Sequence, residues 1–296
     1  MATVQDLKRR IRSIGNTRKI TKAMELVASA RLRRAQARIE ALRPYADRML
    51  ELMGITARAA GSVRLPLLER RENARRVALL PITADRGLAG AFNAQILRRA
   101  FALERELRAE GLEVSWLVAG RRGRSSLTFR RYELIQAWQG FSERPDYSDA
   151  QAIARRAAEL YANEEVDRVV VIYNHFQSAL VQQVTVQDLL PIPEKVVAGG
   201  EDDAREAALR GDFIYEPEPE QILERLLPVY VETELYRALL ESAASEQGAR
   251  MTAMRNASSN AGELIGNLTL AMNRARQAEI TQEILEVVAG ADALTA

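Results

Sequence analysis

Residues 251–278 read MTAMRNASSNAGELIGNLTLAMNRARQA. Steps of three and four residues, taken alternately from Met254, fall on Ala257, Ala261, Leu264, Leu268, Ala271, Ala275 and Ala278, all of them apolar. Apolar residues at that mean spacing make one stripe along an α-helix, the seam of a coiled coil. Alanine at so many seam positions lets two helix axes approach closely. Working outward, the helix is predicted to begin near Pro219, a favourable first-turn residue after Glu216-Pro217-Glu218, and to stop at Gly290. Pro228 would kink it or mark its start. At 1.5 Å per residue such a helix is about 100 Å long, so most of its length must be buried by another helix.

The partner is at the other end of the chain. Val4, Leu7, Ile11 and Ile14 keep the same alternating step, Arg18, Thr21 and Glu25 interrupt it, and Ala28, Leu32, Ala35, Ile39 and Leu42 resume it. Ile20, Met24 and Val27 offer a second apolar row across the gap, which predicts that the buried stripe shifts around the helix near Gly15-Asn16-Thr17. Pro44 is expected to bend this helix rather than end it, because Tyr45, Met49, Leu52 and Met53 continue a helical spacing. The helix would cover residues 1–58, about 80 Å. Between Met1 and Arg43 stand twelve basic residues against three acidic ones, a net of +9, while the whole chain carries only +2 and the remainder therefore −7. Such an imbalance points to an anionic partner: nucleic acid, a membrane surface or an acidic protein face. A nucleic-acid binder would set these cations against phosphates. The long apolar stripe, the lack of aromatics before Tyr45 and the near-neutral chain favour acidic protein loops, while a solvated coiled-coil face accounts for many of the charges in any case.

The middle has a different texture. Val77–Ile82 reads as a strand, followed by the turn Thr83-Ala84-Asp85-Arg86-Gly87-Leu88-Ala89-Gly90 and a helix from Asn93 to Glu110. Val114–Val118, Val169–Tyr173 and Leu180–Leu190 read as further strands, with a helix from Asp149 to Asn163. Strand–helix–strand order implies a small open sheet with helices on it. The predicted fold is therefore α/β: a long coiled coil of the terminal helices with a small open-sheet domain, residues 75–192, inserted between them. Residues 193–218, rich in Pro, Gly and acids, would be a loop leading to the shaft helix 219–290.

Composition removes several chemistries. With no Cys there is no disulfide, thiolate ligand or cysteine nucleophile, and His175 is the single histidine. No apolar run reaches the ~20 residues that span a bilayer, and Met1–Arg10 is too polar for the core of a signal peptide, so the chain is expected to stay on the synthesis side of any membrane. The Asp85–Gly90 turn sits where amides can cradle phosphate, yet it matches neither the dinucleotide fingerprint nor the P-loop lysine pattern and reads as a structural turn. A small α/β enzyme using that turn is the catalytic alternative. Gly120-Arg121-Arg122-Gly123-Arg124 could bind an anion but reads better as a solvated basic turn, and His175 reads as a hydrogen-bonded residue at a strand end. No nucleophile, metal set or cofactor loop emerges.

The stretch Ile11–Ala28, IRSIGNTRKITKAMELVA, resembles the N-terminal helix of the gamma subunit of F-type ATP synthases. Ala244-Ser245-Glu246-Gln247, Asn273-Arg274-Ala275-Arg276-Gln277-Ala278 and Ile280-Thr281-Gln282-Glu283, with Glu286 and Gly290-Ala291, are similar to that family's C-terminal signature in order and spacing. Thr83–Asn93 and Phe213–Pro217 resemble its central segments. The resemblance implies that the terminal helices form an antiparallel coiled coil with a Rossmann-like open-sheet domain between them, a central rotor stalk that turns inside a ring of three alpha and three beta subunits. It sits with an epsilon subunit on the c-subunit ring and couples ion flow to ATP synthesis or hydrolysis, the catalytic sites belonging to the beta subunits. It implies no cofactor, no nucleic acid, membrane contact only through the c ring, and a peripheral place on the cytoplasmic face of a bacterial plasma membrane. By motif, Lys19, Lys22, Met24, Arg276, Gln277, Thr281 and Glu283 would meet the beta subunits. Ile280, Ile284, Leu285, Val287 and Val288 would form an apolar bearing, and Tyr215 and Glu216 would be the foot on the c ring. The seam would comprise Leu7, Ile11 and Ile14 with Ala257, Ala261, Leu264, Leu268, Ala271 and Ala275. Where the family usually has Cys or another small residue and a Gly pair, this turn has Ala89-Gly90-Ala91. The cysteine-bearing regulatory insert of chloroplast relatives is missing, so no thiol control is expected.

Overall fold

The computed structural model describes residues 3–61, 65–71, 74–178, 181–193, 196 and 215–295. Among them the elements run α1 (Val4–Ala60), β1 (Arg76–Pro81), α2 (Phe92–Ala109), β2 (Glu113–Ala119), α3 (Arg121–Phe129), β3 (Leu134–Trp138), α4 (Tyr147–Ala162), β4 (Arg168–Phe176), β5 (Gln182–Leu190) and α5 (Pro219–Thr295). Helix α1 continues through Pro44, and α5 through both Pro228 and Gly290. A glycine ends a helix only where the chain beyond it turns left-handed and satisfies the last carbonyls. Most of the predicted 193–218 loop, with Phe213 and Ile214, lies outside the described residues.

The five strands lie in the order β3-β2-β1-β4-β5, the first four parallel and β5 antiparallel to β4. β1 is buried from Val77 to Pro81 because helices cover both faces of a parallel sheet. β3 and α3 carry no clear sequence signal. LIQAW at the sheet edge has a central Gln and is only half buried, and RRGRSSLTF is polar apart from Leu127 and Phe129.

The chain divides into two compact units, Ser29–Ala249 and Met1–Ala28 with Arg250–Ala296. In the larger unit, residues alternate along each strand between two cores. On one face Leu79, Trp116 and Ile172 pack with Ile96, Ala100 and Leu127 of α2 and α3. On the other, Ala78, Leu80, Val169 and Val171 pack with Ile153 and Tyr161 of α4, Met49 and Met53 of α1, and Leu235 and Leu239 of α5. Residues 29–60 of α1 and 219–249 of α5 are thus structural members of the α/β body. Fully burying a Met or Leu side chain contributes about 2 kcal/mol.

In the smaller unit the two helical segments run antiparallel. Arg255 pairs with Glu25, and Arg18 lies against Gly262; the residue numbers of each pair total 280, the register of an antiparallel pairing. Two expectations are corrected here. The α1 stripe does not shift: Thr21 and Glu25 are buried in the original phase, while Ile20 and Val27 are 60% and 51% exposed. The phase is set by Leu7, Ile11 and Ile14 on one side of the gap and by Ala28 on the other. A helix cannot rotate by the ~100° that separates neighbouring residues and back again without breaking its own hydrogen bonds. The α5 seam also differs. Leu264 is 47% exposed and Ala271 is exposed, whereas Ser258, Ile265 and Met272 are half buried. The row through Met254, Ala261, Leu268 and Ala275 has apolar neighbours on both flanks, and α1 lies on the flank of the larger Ile265 and Met272.

Candidate functional site

Glu25 stands in the buried stripe of α1 and is held from both helices. Lys22 Nζ donates at 3.0 Å and Arg255 Nε at 3.1 Å. The bond from Lys22, and then that from Arg255, keeps the carboxyl below the usual glutamate range although burial works the other way. Thr21 satisfies its hydroxyl on the Arg18 carbonyl. A groove of about 570 Å³ is lined by Gly15, Arg18, Lys19, Lys22, Ser258 and Ile265. Lys19 and Lys22 are exposed and Met24 is half buried, so the basic side chains named from sequence do gather along one side of the pairing. On its outer face Ile20, Leu26 and Val27 stand exposed.

The register places Val4, the first residue of α1, opposite about Arg276. Among the described residues, α5 has no helix of this unit beside it beyond that point. Arg276, Gln277, Thr281 and Glu283 are all exposed, and so are Ile280, Ile284, Leu285, Val287 and Val288, between 48% and 73%. Thr281 Oγ1 donates to the Gln277 carbonyl at 2.8 Å and Gln282 pairs with Glu286 at 2.9 Å, bonds a lone helix makes with itself. Five large apolar side chains on an unpartnered helix cost solvation free energy until something covers them. In the larger unit Tyr215 is half buried and Glu216 exposed, ahead of the Glu216–Pro217 peptide bond, which is cis.

The Asp85–Gly90 turn is occupied by its own chemistry. Asp85 accepts from the backbone N–H of Arg121, at the first turn of α3, at 2.9 Å, and from those of Gly140 at 2.8 Å and Ser142 at 3.0 Å; its own N–H donates to Ser142 Oγ. A carboxylate therefore sits where a phosphate would be cradled. Thr83 Oγ1 donates to the Ala119 carbonyl and accepts from Gly123 N–H, both at 2.9 Å. Gly120 has φ +97°, and a Cβ there would lie 2.0 Å from the Thr83 carbonyl oxygen. This crowding ties β1, β2 and the start of α3 into one block.

Sequence reasoning missed the carboxylates buried against the α/β body. His175, read without an acidic neighbour, meets Glu241 of α5, which also takes Arg237. Glu232 accepts from Tyr147 Oη at 2.8 Å and from Gln151; burial and then this bond push the Tyr147 hydroxyl up to about 12. Asp167 accepts from the N–H groups of Arg75 and Arg76 and from the Arg71 and Arg76 side chains. No spacing rule reveals these partners, Arg237 apart, because each lies far away along the chain. Among the described residues no cluster of His, Asp and Glu could hold a metal ion, and no helix is long and apolar enough to cross a membrane.

A family model described as ATP synthase matches residues 3–294. The ATP synthase gamma chain of Rubrobacter xylanophilus is 47% identical over 296 residues, spanning all of both chains. That of Moorella thermoacetica is 46% identical, covering 99% of this chain and 100% of the relative. Among solved structures, a chain of the Tetrahymena thermophila mitochondrial ATP synthase central stalk and c ring is 30% identical with a TM-score of 0.59, covering 81% of this chain and 99% of that one. A chain of the Euglena gracilis mitochondrial ATP synthase, at 19% identity and a TM-score of 0.70, shares the fold over 98% of this chain and 94% of its own. The chain belongs to the gamma chain family of the ATP synthases.

Proposed function

We propose that this protein is the central rotor stalk of an F-type ATP synthase. It turns within three alpha and three beta subunits and is carried with an epsilon subunit on the c ring, so that ion translocation drives ATP synthesis or its reverse. The observation that carries this reading is the end of α5, where five large apolar side chains stand exposed past the start of α1. Such a tip needs an apolar sleeve around it, which an enclosing ring of subunits supplies. Arg276, Gln277, Thr281 and Glu283, together with Lys19, Lys22 and Met24, are assigned to the beta subunits, and Tyr215 and Glu216 to the c ring. The stalk has no catalytic site of its own. Its work is differential contact: each orientation favours a different open or closed state at each surrounding site, which is the physical content of coupling. The Asp85 carboxylate in the phosphate-like turn singled out from sequence supports a non-catalytic role. The protein would be peripheral, on the cytoplasmic face of the membrane, touching it only through the c ring.

The test is reconstitution. Purified chain mixed with alpha and beta subunits should assemble into an ATPase whose hydrolysis turns a bead attached to the Asp85 end of the α/β unit. Failure to assemble, or assembly without rotation, rejects the reading. The nucleic-acid alternative predicts salt-sensitive DNA binding by the isolated chain, and the enzyme alternative a thermal shift with nucleotides; neither is expected.

A further inference from the structure

The surface of α2 and α3 on the larger unit carries none of the residues assigned to a partner above. Phe101 of α2 stacks on Tyr132 just beyond α3, with ring centroids 5.8 Å apart and planes at 19°, and meets the edge of buried Trp116 at 5.8 Å. The Arg130 guanidinium lies 4.5 Å from the Phe101 centroid. Between the helices is a groove of about 580 Å³ with Leu97, Phe101 and Tyr132 in its wall and Arg98, Arg105 and Arg130 around it. Its one acidic residue, Glu104, is buried and already engaged, accepting from Tyr132 Oη at 2.7 Å and pairing with Arg108 at 2.9 Å. The cations therefore face solvent without an opposing charge inside the groove. Arg121, Arg122 and Arg124 of α3 and Arg131 just beyond it are exposed as well; among the described residues neither they nor Arg98 takes part in an ion pair. Phe129, at the end of α3, is 88% exposed.

We propose that this groove docks an acidic segment of a protein partner, which seats one aromatic or large aliphatic side chain between α2 and α3. Charge complementarity selects the acid. The groove is lined by three arginines and no lysine, and a planar guanidinium fork pairs with carboxylates through two parallel hydrogen bonds. The recess selects the anchor, since an aromatic-walled groove ringed by arginines is the environment in which interface hot spots form. Single-stranded nucleic acid is disfavoured because bases stack on open ring faces, and Phe101 already carries Tyr132 and Arg130. A membrane surface is disfavoured because the cations surround a concavity rather than a plane.

The experiment uses the full chain and a fluorescein-labelled peptide of glutamates flanking one tryptophan, read by fluorescence anisotropy. The same peptide with alanine for tryptophan, a single-stranded oligonucleotide and vesicles containing phosphatidylglycerol are run beside it. The tryptophan peptide should bind about tenfold more tightly than the alanine peptide, a difference of one anchored side chain. Arg98→Ala and Arg130→Ala, both at exposed positions, should each weaken it about fivefold or more, and Phe129→Ala less, with unchanged circular dichroism. Equal binding of the two peptides would overturn the proposal. So would indifference to both arginine variants, or tighter binding of the oligonucleotide or the vesicles.

Discussion

Asp167 joins β4 to the chain entering β1 with four hydrogen bonds, two from backbone N–H groups and two from guanidinia. Burial alone would raise its pKa, but these bonds overturn that and hold the carboxyl well below the ordinary aspartate range. An unfolded aspartate titrates near 3.9, about where the stabilisation should begin to fail. With the folded value lower, the stabilisation is complete above about pH 4 and is lost as pH falls through the folded value. Urea midpoints should therefore drop steeply with acidification in the parent protein and less in Asp167→Asn. At neutral pH that variant should be less stable by about 2 kcal/mol, the worth of charge-assisted bonds lost from a buried site. Gly120→Ala should cost about 3 kcal/mol or more in the same assay, since it adds a Cβ against the Thr83 carbonyl at a positive φ. Glu25 behaves differently. Glu25 is buried although its partners Lys22 and Arg255 are more than half exposed, and a buried charge in a helix seam is often no better than an apolar residue of like volume, so Glu25→Leu is expected to match or exceed the parent's stability. Glu25→Ala, which leaves a gap beside unpaired Arg255, should fall below it; a Glu25→Leu midpoint lower than that of Glu25→Ala would contradict this account.

The two long helices show how far a periodic pattern carries. Met254, Ala261, Leu268 and Ala275 belong to the paired side however the steps are counted, because residues seven apart return to nearly the same direction on a helix. The intervening positions are undecided by pattern alone, for Ala257, Leu264 and Ala271 are as apolar as Ser258, Ile265 and Met272 taken together. Which flank is buried depends on where α1 lies. Leu268→Asp should therefore destabilise the smaller unit by about 2 kcal/mol, through a charge placed against the partner helix. Leu264→Asp should stay within about 0.5 kcal/mol of the parent. Urea unfolding followed by circular dichroism distinguishes them, and equal losses would place the seam on the other flank. The strands were legible where both faces of the sheet are covered, as in Val77–Pro81 and Val169–Tyr173. β3 and α3 were not, because a half-exposed edge strand and a nine-residue polar helix need little apolar sequence to hold them.

At the scale of the whole molecule, a dense run of exposed large apolar side chains, Ile280, Ile284, Leu285, Val287 and Val288, lies where the chain's own folding has no use for it. Removing residues 280–296 should leave the thermal midpoint of the isolated chain unchanged within about 2 °C, since none of the described side chains lost is buried. In an assembled ATPase the same deletion should weaken hydrolysis-driven rotation, and differential scanning calorimetry beside bead rotation separates the two effects. A matching fall in the isolated chain's midpoint would mean that the tip packs on its own chain. From residues alone one can read two long helices, their alternating apolar step, the basic charge of the first, the α/β order between them and the motifs of the gamma family. These are local: they depend on spacing along a rigid helix or on runs within one strand. Three things awaited the fold: the straight passage of the stripe through Thr21 and Glu25, the flank of α5 that is buried, and the carboxylates of Asp85, Asp167, Glu232 and Glu241. Each depends on a partner far away in sequence, and a buried charge declares itself only when the cation or N–H group that satisfies it has been brought alongside.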